Sequence, residues 1–209
     1  MGDGLTSIDN FFDRYAYPNL RSISIGNGVT EISSSQFKSC AALESVKLGN
    51  GLKNIGTDAF RYCTMLKSID LPNSLVTLGN SCFRQSGLEH LVVPNSVTTL
   101  GMDVVRDCQN LKSVVLGTSV ESLDECVFRG CTSLEVIASL ATTPPTLDNS
   151  TVEADYHFLV PKEAESNYKA AEYWSDFKYV STFETVPVYV KAETAGSVFC
   201  KLSFYPVDE

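Results

Sequence analysis

The chain has 209 residues, 44% of them hydrophobic and 20% charged, enough apolar surface to bury a core and too much for a disordered segment. Its net charge is −9, unevenly placed: 14 acidic and 11 basic residues up to Leu147 give −3, and 11 acidic and 5 basic residues from Asp148 onward give −6. That balance argues against a nucleic-acid footprint, and no run of 18 apolar residues or signal-peptide pattern is present.

The opening segment, residues 1–19, reads as a truncated repeat. Gly2-Asp-Gly-Leu-Thr-Ser-Ile8 matches Gly26-Asn-Gly-Val-Thr-Glu-Ile32, which is the middle of a unit that recurs downstream. Solenoids normally end in a polar cap, so a start in mid-unit leads to the expectation that further repeats precede this segment in the natural protein. The alternative is that Phe11 and Phe12, with Tyr15 and Tyr17, plug the end.

Residues 20–141 form an internal array. Leu20, Leu43, Leu66, Leu88, Leu111 and Leu134 are separated by 23, 23, 22, 23 and 23 residues, and each opens the same phrase. The phrase begins Leu-x-x-Ile/Val/Leu-x-Ile/Leu/Val, whose alternation predicts a short strand with one buried face. A Gly-Asn-Gly, Pro-Asn-Ser or Gly-Thr-Ser turn follows, then a second extended stretch Val/Leu-x-x-Ile/Leu. Each unit closes as in Ala59-Phe-Arg-Tyr-Cys63, too short for a full helix, so a single helical or 3₁₀ turn is expected. No unit can bury its apolar residues alone, so the units must stack into a leucine-rich-repeat solenoid of short parallel strands.

Stacking turns sequence positions into columns. Phe37, Phe60, Phe83, Val105 and Phe128 make an aromatic spine with one aliphatic member. Cys40, Cys63, Ser86, Cys108 and Cys131 make a ladder of small buried side chains. Parallel Cα–Cβ vectors suit neither disulfides nor a tetrahedral metal site, so reduced thiols are expected and no metal or cofactor is implied. Arg21, Glu44, Lys67, Glu89, Lys112 and Glu135 alternate in sign at every step, which stabilises modestly and favours correct register. By contrast Lys38, Arg61, Arg84, Arg106 and Arg129 set five positive charges in a row. Two readings stand there: long stems over the spine with Asp58, Asp103 and Asp107 offsetting the charge, or a strip for sulfated or carboxylated polymers. The outward strand positions Ser24, Lys47, Asp70, Val92 and Val115 vary from unit to unit. Beside them run Ser22, Ser45, Ser68, His90 and Ser113.

Residues 142–180 read as a C-terminal cap. Thr142-Thr-Pro-Pro145 interrupts a sixth repeat begun at Leu134, because tandem proline removes backbone donors. His157-Phe-Leu-Val-Pro161 predicts a strand. Lys162 to Trp174 predicts an amphipathic helix presenting Ala164, Tyr168, Ala171 and Trp174. Residues 181–209 alternate as Val186-Pro-Val-Tyr-Val190 and Val198-Phe-Cys-Lys-Leu-Ser-Phe-Tyr205, a β-hairpin tail or the start of a further domain.

Units such as Leu66-Lys-Ser-Ile-Asp-Leu-Pro-Asn-Ser-Leu75 and Ile55-Gly-Thr-Asp-Ala-Phe-Arg-Tyr-Cys63 resemble the BspA-like leucine-rich repeats of bacterial surface proteins. Thr143-Pro-Pro-Thr146, Leu159-Val-Pro-Lys162, Tyr168-Lys-Ala-Ala171 and Trp174-Ser-Asp-Phe177 resemble the ending that follows such repeats in gut anaerobes. The resemblance covers about residues 2–180. It implies a curved solenoid at the cell surface or secreted, a role in adhesion to host or bacterial surface proteins or glycans, and no catalytic residues to transfer.

The residues themselves offer little to an enzyme: two histidines, no Gly-rich phosphate loop and no spaced carboxylate pair. His90 beside the strand serines could form a Ser–His pair, although repeated strand serines are ordinary surface residues; His157 reads as structural. Two binding classes remain. In one, the chain is part of a surface adhesin whose ligand lies on the open strand face or the basic stripe. In the other, it is a structural or assembly module of an envelope or a bacteriophage particle.

Overall fold

A computed structural model describes residues 17–148, 156–177 and 179–183. The chain winds as a parallel β-solenoid of about seven turns, its short strands falling on a front face and a back face. In chain order the strands are β1 (Ser22–Ser24), β2 (Glu31–Ile32), β3 (Ser45–Lys47), β4 (Asn54–Ile55), β5 (Thr77–Leu78), β6 (His90–Val92) and β7 (Thr99–Leu100). There follow β8 (Ser113–Leu116), β9 (Ser122–Leu123), β10 (Val136–Ser139), β11 (Thr146–Leu147), β12 (His157–Pro161), the helix α1 (Glu165–Ala170) and β13 (Tyr179–Phe183).

The back sheet is continuous, in the order β2-β4-β5-β7-β9-β11. The front sheet is not: β1 pairs with β3, and β6-β8-β10-β12-β13 form a separate five-stranded sheet. Residues 67–71, in phase with both, carry no strand pairing, although Ile69 still points inward and is buried. The gap falls at the start of the 22-residue unit, Leu66 to Leu88.

Stacking at the parallel-strand spacing of about 4.8 Å converts the sequence columns into the core. Leu43, Leu66, Leu88, Leu111 and Leu134 are buried, as are Val46, Ile69, Leu91, Val114 and Ile137 from the front strands. The back strands add Ile32, Ile55, Leu78, Leu100 and Leu123. Each such burial contributes roughly 1.5–3 kcal/mol, and no single turn could provide it without its neighbours. In the spine, the rings of Phe37, Phe60 and Phe83 stack with centroids 5.4 and 5.6 Å apart.

The closing segment of each unit differs from the expected helical or 3₁₀ turn: among the described repeats no helix forms there. Two residues per turn instead take left-handed φ near +60°, namely Ser35 and Ser39, Asp58 and Tyr62, Ser81 and Gln85, Asp103 and Asp107, Cys126 and Gly130. The intervening amides bond from turn to turn, as in Phe37 N to Ala59 O (2.9 Å), Phe60 N to Cys82 O (2.8 Å) and Phe83 N to Val104 O (2.9 Å). A third hydrogen-bonded wall therefore closes the coil. It satisfies amides that a helix would have satisfied internally.

The tandem prolines do not end the array. β10 and β11 hold register on either side of them, Val136 with Ser113 and Thr146 with Ser122. β12 and β13 extend the front sheet in parallel, so the boundary expected after residue 180 falls inside β13. The expected helix over residues 162–174 is shorter and broken: a 3₁₀ turn at Lys162–Ala164, α1, then a 3₁₀ turn at Trp174–Asp176 after Tyr173 at φ 62°. Of its four expected inward residues Ala164, Tyr168 and Trp174 are buried and Ala171 is half-buried against the core. Trp174 donates to the Pro145 carbonyl (2.7 Å), and the Tyr168 hydroxyl lies 2.9 Å from the Ala141 carbonyl and 2.8 Å from Ser139 Oγ. Burial pushes the Tyr168 phenol up to about 12. The truncated first repeat apart from its last residues, and the hairpin expected over 186–205, lie outside the described residues.

Candidate binding surface

Two surfaces carry the residues singled out in the sequence. On the front face Ser24, Lys47, Asp70, His90 and Val92 are all exposed. Val92 is the most open apolar residue among them, at 52%. Val115 departs from the expectation: it is 7% exposed. It lies in register between Val92 and Ala138, so apolar neighbours flank it on both sides, whereas β6 bearing Val92 is the sheet edge. The open part of the face thus runs from Ser24 to Val92, closes over the apolar pair Val115 and Ala138, and opens again at Leu159 and Ser181.

The neighbouring column carries Ser22, Ser45 and Ser68, all exposed, and His90. His90 Nδ1 sits 2.8 Å from Ser113 Oγ across β6 and β8. His157 opens β12 and makes a similar pair, Nε2 to Ser181 Oγ at 2.9 Å. Both pairs are exposed, as surface hydrogen bonds between neighbouring strands are. Among the described residues no group of three or more His, Cys, Asp or Glu is placed to hold a metal ion.

The basic stripe is placed differently. Lys38 and Arg61 both contact Asp58, at 2.7 and 3.2 Å. Arg84 and Arg106 both contact Asp103, at 2.9 and 3.2 Å, and Asp107 lies 3.5 and 3.7 Å from the same two guanidiniums. Each aspartate joins the cation of the preceding turn to that of its own. Burial raises the Asp58 carboxyl, but the hydrogen bonds from Lys38 and Arg61 outweigh it and hold the group below its ordinary value. Arg129 approaches Cys126 Sγ at 4.0 Å. The Nε–H groups of Arg61, Arg84 and Arg106 are buried without a hydrogen bond, that of Arg106 lying 3.7 Å from Asp107, so the zipper carries a desolvation cost as well as a gain. Of the two sequence readings, the pairing favours charge offset within the fold.

The pattern behind this zipper comes from the left-handed corners, which set Asp58 and Asp103 in one column. The first left-handed column reads Ser35, Asp58, Ser81, Asp103, Cys126, so a carboxylate arrives every second turn. The small side chains of the ladder are buried, as the columns imply: Cys40, Cys63, Ser86, Cys108 and Cys131. Cys63, Cys108 and Cys131 donate to the carbonyls of Phe37, Phe83 and Val105 in the preceding turn, at 3.0–3.2 Å. Burial raises the Cys63 thiol to about 12 and that of Cys108 to about 11.

The chain is similar in fold to several solved repeat proteins. The pneumococcal vaccine antigen PcpA superposes with a TM-score of 0.67 at 23% identity, over 87% of this chain and 44% of that one. A leucine-rich-repeat protein of T. pallidum gives 0.59 at 27% identity, over 76% and 73%. A leucine-rich cell surface protein of Faecalibacterium prausnitzii gives 0.56 at 32% identity, over 59% and 34%. This chain therefore spans under half the length of the first and third. Comparison with curated proteins gives no match. The pattern described as a BspA type leucine-rich repeat region matches in six copies over residues 6–135, the same units whose columns build the solenoid, and the chain belongs to that family.

Proposed function

We propose that this chain is a non-enzymatic segment of a surface repeat protein that binds a protein or glycan on its front sheet. One observation carries the reading. The recurrent side chains of each turn are taken up in the core, spine, thiol ladder and turn walls, while the exposed front positions Ser24, Lys47, Asp70, His90 and Val92 differ from turn to turn. A rigid face with a variable, half-polar surface suits recognition of an extended ligand. Similarity to a leucine-rich cell surface protein supports the surface setting.

The test is binding of the chain to immobilised matrix proteins and to a glycan array, repeated with Lys47→Ala, Asp70→Ala, His90→Ala and Val92→Ser combined. We expect binding to at least one ligand class and its loss by tenfold or more, about 1.4 kcal/mol, at unchanged melting temperature. No binding on either array, or binding indifferent to the four substitutions, would refute the assignment.

A further inference from the structure

The alternating ladder Arg21, Glu44, Lys67, Glu89, Lys112, Glu135 runs along the outside of the turns. Within the molecule Arg21 reaches Glu44 at 2.8 Å, and Glu89 stands between Lys67 and Lys112 at 3.6 and 3.7 Å. All six side chains lie on the surface, five of them exposed and Glu89 half-buried, so none is used up in the core. The signs run + − + − + −, five steps of about 4.8 Å and so roughly 24 Å in length.

Such a row is its own complement when reversed. Laid antiparallel against a second copy about a two-fold axis, Arg21 meets Glu135, Glu44 meets Lys112, and Lys67 meets Glu89, with the same three pairs repeated on the other side of the axis. Parallel in-register pairing sets like against like. A parallel slip by one turn leaves a charge unmatched at each end. Only the antiparallel arrangement matches all six. We propose that this ladder is a self-association surface through which two copies of the chain pair antiparallel, with Lys67 and Glu89 beside the two-fold axis.

The contact is weak by construction. A strip this long and one or two side chains wide covers on the order of 300 Å² per copy, against about 800 Å² per partner in a standard stable interface. Exposed ion pairs add little each and are screened by salt. Pairing therefore belongs to high local concentration and low ionic strength. It does not depend on which ligand the front sheet takes.

Sedimentation equilibrium at high protein concentration tests this in about 0.01 M and about 0.15 M salt. Wild type is expected to dimerise in the dilute buffer, with the dissociation constant rising about tenfold or more at the higher salt. Lys67→Glu places glutamates against glutamates at the axis and should leave a folded monomer, its fold checked by circular dichroism. The double variant Lys67→Glu with Glu89→Lys restores every antiparallel pair while setting like charges side by side within each chain, at Glu44 and at Lys112. It also disrupts the slipped parallel arrangement. Recovery of the dimer in the double variant confirms antiparallel pairing. A monomeric wild type in dilute buffer, a salt-insensitive dimer, a Lys67→Glu variant that dimerises as wild type does, or a double variant that stays monomeric would each overturn it.

Discussion

At the scale of single residues, Asp58 and Asp103 do most to shape the surface, because each turns two repelling cations into a bridge between turns. Asp58 is held below the ordinary carboxylate value, so its contribution is present above the unfolded pKa, near 3.9, and is lost as pH falls through the lower folded value. Asp58→Asn should cost about 1–3 kcal/mol at neutral pH. Thermal melts of the two proteins against pH should converge below about pH 4, and a gap that persists into acid would contradict the bridging role. Replacing Arg61, Arg84 and Arg106 together with Ser should lower the melting temperature and leave retention on heparin unchanged. If retention vanished instead, the stripe would be a polyanion site despite its aspartates.

At the scale of the element, much of the repeat was legible and its corners were not. Strand alternation and the aliphatic columns show directly in the spacing of Leu43, Val46, Leu52 and Ile55, since each apolar residue has only one way to face inward. The left-handed corners left no comparable mark. Only Gly130 is a glycine there; the remaining places hold Ser, Asp, Tyr, Gln and Cys, which a local reading assigns to a helical turn. Neighbouring turns enforce these φ values through interturn bonds, a tertiary effect with no local signature. The helix expected over 162–174 ends at Ala170, where Ala171 turns extended; Tyr173 then takes φ 62° and Trp174 bonds to Pro145, a long-range contact with no local signature. Of the candidate site, exposure of Lys47, Asp70, His90 and Val92 followed from alternation, whereas burial of Val115 depends on which strands flank it. The short unit supplies a sharper test. A Cβ on Gly87 would lie 2.1 Å from the Thr64 carbonyl oxygen, in the place where this unit lacks one residue. Gly87→Ala should therefore cost about 1–3 kcal/mol, and several degrees of melting temperature, measured by calorimetry. An unchanged melting temperature would show that the backbone of residues 63–66 can yield.

At the scale of the whole molecule, the solenoid is close to one-dimensional: every stabilising contact described in the repeats joins a turn to itself or to the next. Two of its patterns nonetheless repeat only every second turn, the alternating charge ladder and the aspartates of the left-handed column. This confers parity. Inserting or deleting one turn would set two like charges side by side and break the Ser/Asp alternation, while gain or loss of two turns preserves both. A ladder of odd length also ceases to be its own complement, since its two ends then carry the same sign. The unit in which a gene encoding such an array can lengthen without penalty is thus the pair of turns, although the unit visible in its sequence is the single one.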